Sequence, residues 1–289
     1  MRQKIINSLK LLRIPFSLFL LPVTLFSFYY IKPEANVNLY LVLFIWHLLV
    51  YPSSNAYNSY HDKDTGPIGG LKQPPQPTYL IKKICNAFDL LAILLSLLIN
   101  IKFTMFVAVY ILFSRLYSNR SVRLKQYPLT SFFLVFLFQG GWIFMANLIA
   151  CNKEHLLTNQ EVQLSAIASS FFIGTIYPLT QIYQHETDAK DGVKTISILL
   201  GVRGTFIFSS IMFALAATLI YFAFKNNPNH QNNFLLFNLI MLPASLYFLF
   251  WAKKSFENRA MINFGNTMVM VVLSSVLNNI YFIILLFNQ

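Results

Sequence analysis

Two short stretches of this chain carry acidic residues in an otherwise apolar setting. Residues 51–62 read YPSSNAYNSYHD, and residues 177–188 read YPLTQIYQHETD. Aligned without a gap they share Tyr51/Tyr177, Pro52/Pro178, Tyr57/Tyr183 and Asp62/Asp188. Asn55 pairs with Gln181, and Asn58 with Gln184. In each copy the two carboxamides and the carboxylate stand at i, i+3 and i+7, which is one face of a helix. Two such stripes facing each other make an oxygen-lined site. A hard cation such as Mg2+ suits it, held by one or two carboxylates and by phosphate oxygens of a substrate. Basic residues supply the complement: Lys63 beside Asp62, Arg123 and Lys125 in a later loop, and Lys194 after Asp188. Carboxylates and cations together fit a metal-bound polyphosphate better than a bare ion.

The elements that must position these groups follow from composition. The chain has 289 residues, of which 56% are hydrophobic and 11% charged, with a mean hydropathy of +0.56. A soluble domain carries about 25% charged residues. Apolar runs long enough to cross a bilayer recur throughout. Breakers divide them into nine expected spans near 14–31, 39–57, 86–100, 103–117, 130–150, 163–183, 205–224, 233–252 and 265–287. The third and fourth are short, with a tight hairpin expected at 100–102. The expected fold is an all-α polytopic membrane protein, one domain over residues 1–289. The basic, apolar N-terminus lacks a small-residue cleavage site and reads as an uncleaved first span.

Charge placement sets the orientation. Arg2, Lys4, Lys10 and Arg13, then Lys63, Lys72, Lys82 and Lys83, then Arg115, Arg120, Arg123 and Lys125, fall in loops of one side. The other side holds only Lys32, Lys102, Lys153 and Lys225. By the positive-inside rule the first set, with the N-terminus and both acidic stretches, faces the cytoplasm. The net charge of +12 therefore orients the protein and meets lipid headgroups; no nucleic-acid-binding motif accompanies it. The two acidic stretches end the second and sixth spans. Four spans separate them, so they point the same way, as in a parallel repeat of a four-helix unit.

Simpler readings apply to other residues. Asp191 reads as solvated, and Arg203, Lys253 and Lys254 as topological. His61 and His185 do not align in the repeat and read as loop histidines. His47, in mid-span, reads as a structural hydrogen bonder. Asp89 either caps the third span or faces a cavity. Cys85 and Cys151 have no metal-ligand spacing and read as packing residues.

At these residues the sequence resembles the UbiA superfamily of intramembrane prenyltransferases. NSYHD (58–62) is similar to its first Asp-rich motif, and DAKDGVKTISILLG (188–201) to the end of its second. YSNRSVRLKQYPL (117–129) resembles the family's Tyr-Ser…Arg-Leu-Lys…Pro-Leu segment, and LRIPFSLFLLP (12–22) its Arg-x-Pro-x-Ser opening. The resemblance implies nine helices around a central cavity open toward the membrane. It implies Asp62 and Asp188, with Asn58, as metal ligands, and Mg2+ bridging to the diphosphate of an allylic isoprenoid donor. It further implies Lys63, Arg123, Lys125, Gln184 and Lys194 at the diphosphate. Where the family carries further Asp residues, this chain has Gly66 and Gln184; Asp64 and Glu186 stand nearby as substitutes. The expected function is Mg2+-dependent transfer of an isoprenoid group to a lipophilic acceptor, an aromatic quinone precursor in many relatives. The alternatives are a membrane transporter and a catalytically silent prenyl-lipid binder. The Lys/Asn/Ile/Phe-rich composition suggests a bacterial source and thus a bacterial cytoplasmic membrane.

Overall fold

The structure is a computed structural model that describes residues 2–32, 37–225 and 231–288. Among them the chain is helical almost throughout, and proline and glycine decide where the helices bend. Helix α1 (Arg2–Ile31) is broken. Its first part ends at Leu12, Arg13 adopts a left-handed conformation (φ 48°), and Pro15 begins the next turn. A 3-10 turn over Leu18–Leu20 precedes Pro22, near the start of the last segment. Proline lacks an N–H and is tolerated at such first-turn positions.

Helix α2 (Asn38–Asp62) widens into a π-helical turn at Phe44–Val50 just before Pro52. Helix α3 (Tyr79–Leu97) and helix α4 (Ile101–Ser118) form the tight hairpin expected at 100–102. Asn100 fixes it: its side chain caps α4 through Phe103 N–H (2.8 Å) and donates to Ile149 O (3.0 Å). Helix α5 (Pro128–Ala150) contains a second π turn, Leu137–Gly141, where Gly140 is non-helical. Helices α6 (Gln160–Lys190), α7 (Ile196–Phe224), α8 (Gln231–Glu257) and α9 (Phe264–Phe287) complete the bundle.

Eight of the described helices are long and apolar enough to cross a membrane. The one outside that set is α3, where the third span was expected at 86–100; it is a 19-residue helix that begins earlier and carries Lys82, Lys83 and Asp89. The chain is an integral membrane protein by these helices.

The core is aromatic and seamed by buried polar groups. Trp46 Nε1 donates to Asn147 Oδ1 (3.0 Å), and Asn147 Nδ2 donates to Ser27 Oγ (2.9 Å), tying α1, α2 and α5. His47 is buried; its ring nitrogens lie 3.0 Å from Ser17 O and 3.2 Å from Thr24 Oγ1. It makes the structural hydrogen bonds read from its position. Cys85 and Cys151 are both buried free thiols. Helices α1, α2, α4, α5, α6 and α9 surround a cavity of about 320 Å³. Phe26 on α1 stacks on Phe282 of α9 (4.5 Å between rings) at its apolar end.

Candidate active site

The polar end of the cavity is built where α2 and α6 stop. Asp62 is the last residue of α2, because Lys63 turns left-handed (φ 56°) and ends the helix. Asn55, Asn58 and Asp62 all line the cavity, as one face of an α-helix must. The second copy reaches the same place by a different local geometry. Residues Pro178–Gln184 form a 3-10 helix, followed by an α-helical turn, His185–Lys190. Residues three apart eclipse in a 3-10 helix, so Gln181 and Gln184 stand one above the other. Both line the cavity with Asp188.

Asp64 lies in the loop after α2 and also lines the cavity. Burial, and then the charge of Asp62, push its carboxyl up to about 6. Lys125 offsets part of this, and Arg13 less. Lys125 is buried by the short turn Leu124–Gln126, and its ammonium pairs with Asp62. Arg123 precedes that turn in a left-handed conformation (φ 49°). Its guanidinium lies 4.0 Å from Asp62, pairs with the Asp191 carboxylate and donates to Asp191 O (3.0 Å). Arg120 adds a contact to Asp191 (3.4 Å) and donates to His61 O (2.7 Å). Asp191 is thus the counter-charge of two arginines, where the sequence read it as solvated. Asn58 Oδ1 accepts from Ser118 Oγ (3.1 Å).

The loops close on each other over this end. Gln184 Nε2 donates to Pro67 O (3.0 Å). Arg13 donates to Gly69 O (3.0 Å) and Asn55 O (2.8 Å). Gly69 lies flat on Phe16: a Cβ there would sit 2.7 Å from the ring. The Gly/Pro-rich segment 66–78 is therefore fastened at its Pro67–Gly69 part against α1, α2 and α6.

Of the expected site residues, Asp62, Asp64, Asp188, Asn58, Gln184 and Lys125 meet at one cavity. Arg123 lies just behind Asp62. Lys63, Lys194 and Glu186 are exposed and do not line the cavity. Glu186 stands two residues before Asp188, about 200° around a helix. Lys194 alternates with buried Val193 and Thr195, so it faces outward.

Several cavity residues escaped the sequence reading. Arg13 is one; only its place in the Arg-x-Pro opening hinted at more than topology. Tyr117 and Tyr177 form a hydroxyl pair (2.8 Å) on the cavity wall. Asp89 neither caps α3 nor lines the cavity. It pairs with Arg115 and accepts from Ser53 Oγ (2.6 Å), while Arg115 lies over Tyr57 (3.8 Å). That cluster holds α2 against α3 and α4.

The geometry allows a test for a metal. The cavity's donors at this end are oxygens only. Asp62 Oδ1 is buried and accepts no well-aligned hydrogen bond, although the Lys125 ammonium lies against it. Among the described residues no group of three His, Cys, Asp or Glu side chains is close enough to hold a metal unaided. Such a donor set fits a hard cation whose shell is completed by a ligand's oxygens.

No curated protein matches the sequence. Solved structures match along nearly the whole chain. A UbiA homolog from Archaeoglobus fulgidus is 19% identical with a TM-score of 0.69, covering 97% of this chain and 99% of that one. The same homolog bound to DMAPP and Mg2+ is 18% identical with a TM-score of 0.66, covering 96% and 99%. A chain from work on digeranylgeranylglyceryl phosphate synthase in membranes is 17% identical with a TM-score of 0.62, covering 99% and 98%. At these identities the likeness establishes the fold. The model of the UbiA prenyltransferase family matches residues 19–268, and the chain belongs to that family.

Proposed function

We propose that this protein, as a single domain, transfers an isoprenoid group from an allylic prenyl diphosphate to a lipophilic acceptor, with Mg2+ as cofactor. The observation that carries the reading is the meeting of Asp62, Asp64 and Asp188 with Lys125 at the polar end of an otherwise largely apolar cavity. An amphiphile with a diphosphate head and a hydrocarbon tail matches that division. The Archaeoglobus fulgidus homolog takes DMAPP with Mg2+ and GPP with Mg2+, which supports the same donor class here.

Asp62, Asp64 and Asp188 would hold the cation, with the oxygens of Asn58 and Gln184 beside them. When bound, Mg2+ supplies positive charge that stabilises the departing diphosphate. Lys125 and Arg123 carry fixed positive charge to the same oxygens; Lys125 exchanges its contact with Asp62 for one to the diphosphate. The allylic C–O bond breaks with its electron pair going to the diphosphate. The acceptor then bonds to the allylic carbon and gives up a proton. The apolar wall below excludes water from the cation, and fixed charges act more strongly there than in bulk solvent. Lys63 and Lys194 sit at the loop surface, placed for encounter with the anionic donor rather than for the bound state. Glu186 is removed from the set of ligands. Positive loop charge supports an orientation with this end on the cytoplasmic face.

The test is product formation. Purified protein in detergent is given allylic diphosphates of increasing chain length, Mg2+ and a panel of quinone precursors and alcohols. A prenylated product identified by mass spectrometry is the expected result. Donor binding without release of diphosphate would instead make the protein a silent binder, as the Gly66 and Gln184 departures could produce. Neither binding nor release, with solute flux in proteoliposomes, would make it a transporter.

A further inference from the structure

Helix α8 packs against α7 and α9 and buries Phe237, Met241, Ala244 and Trp251 on that side. Its opposite face carries Leu235, Leu239, Leu242, Leu246 and Leu249, each 51% to 63% exposed. Their steps alternate between four and three residues, the heptad pattern of a helix-pairing seam. Leu235, Leu242 and Leu249 take position d, and Leu239 and Leu246 take position a. Lipid tails cover leucines in any order, so the seam alone does not select an occupant. Two polar groups beside it do.

Asn238 is exposed on the same face. Its Nδ2 donates to Phe234 O (2.8 Å). That leaves its second N–H and its Oδ1 without a partner among the described residues. Pro243 stands inside the helix and is also exposed. It has no N–H to give to the carbonyl of Leu239, four residues earlier. One stretch of α8 therefore presents a spare amide donor and a spare carbonyl acceptor. Asn238 lies seven residues past Gln231 and fifteen before Lys253, or about 10 Å and 22 Å along the helix. Both groups fall within a hydrocarbon layer of about 30 Å, where lipid tails offer no hydrogen bond.

The heptad decides what can meet them. Asn238 takes position g and Pro243 position e. In a parallel helix pair, g of one helix faces e of the next heptad in the other. Two copies of one membrane protein share an orientation, so their α8 helices run parallel. We propose that α8 is a homodimer interface. The leucines interlock about a twofold axis along the membrane normal, and Asn238 of each copy donates to the Leu239 carbonyl that Pro243 leaves free in the other. Such a contact is self-complementary, as a twofold axis requires. A different membrane protein would need the matching donor and acceptor; a second copy already carries them. No residue of α8 lines the cavity, so the interface stands apart from the prenyl-transfer reading.

The experiment counts subunits of the full chain in liposomes by single-molecule photobleaching over a range of protein densities. A monomer–dimer equilibrium is expected. Asn238→Leu and Pro243→Ala should each weaken it about tenfold, the worth of two hydrogen bonds between membrane helices. The double variant should be no weaker than either single one, because both changes remove the same bonds. In a background lacking Cys85 and Cys151, Leu242→Cys should give a disulfide-linked dimer on mild oxidation. Ile211→Cys, equally exposed on α7, should not. Melting in detergent verifies that each variant is folded. A monomer at every density, an Asn238→Leu dimer as tight as the parent's, or a disulfide through Ile211→Cys in place of Leu242→Cys would overturn the interface. Capture of a different protein by Leu242→Cys in native membranes, with no dimer formed, would overturn it in favour of that partner.

Discussion

Asp191 shows how one pair of charges alters an expectation drawn from sequence. A charge in a loop is usually solvated, yet here Asp191 holds Arg123 through its carboxylate and its carbonyl. Arg123 in turn lies against Asp62. Asp191→Asn should therefore raise the KM for the prenyl diphosphate about fivefold, the worth of a partly exposed pair, with Asp191→Glu partly restoring it. Unchanged donor kinetics in Asp191→Asn would return the residue to a solvated role. Asp64 sets a pH dependence at the same site. Its carboxyl is raised to about 6 by burial and then by Asp62, and only the ionised form ligates a cation. Mg2+ affinity should fall as pH drops through that value. The drop should flatten in Asp64→Asn, as Mg2+ titrations on both sides of about 6 would reveal.

Element geometry decided which residues could be read in advance. The i, i+3, i+7 stripe was legible for α2 because that stretch is a regular α-helix. The second stripe was legible only by luck of eclipsing: a 3-10 helix also puts residues three apart on one face. Lys63, Lys194 and Glu186 stand exposed outside the cavity, because proximity in sequence says nothing of direction. A left-handed cap, an extended segment and a 200° helix rotation turned each one away. The breaks in α1 that bring Arg13 to the loop carbonyls have no signal beyond Pro15. Helix contact is equally specific. At Gly140 a Cβ would lie 2.3 Å from Ser170 Cα on α6, a backbone atom that cannot step aside. Gly140→Ala should cost about 3 kcal/mol and lower the melting temperature in detergent. An unaltered melt would mean that α5 and α6 are free to separate there.

At the scale of the whole molecule, apolar periodicity and loop charge carried most of the information. Hydropathy located the helices, while α3 begins earlier than expected, with Lys82 and Lys83 in its first turns. The cavity itself was not legible: which helices enclose it depends on packing between residues far apart in sequence, such as Phe26 with Phe282. Orientation gives a prediction at this scale. In a background lacking Cys85 and Cys151, a cysteine at Lys72 or Ser121 should react with an impermeant thiol reagent only from the cytoplasmic side. A cysteine at Lys153 should react only from the other. Labelling of all three from one side would contradict the orientation.

The most direct test of the carboxylate site is diphosphate release from an allylic donor, followed with and without Mg2+ in the unmodified protein, in Asp62→Asn and in Asp188→Asn. Release that requires Mg2+ and disappears in both folded variants is the expected result. Release that persists without Mg2+, or that survives at near-native rate in either variant, would contradict a site built on Asp62 and Asp188.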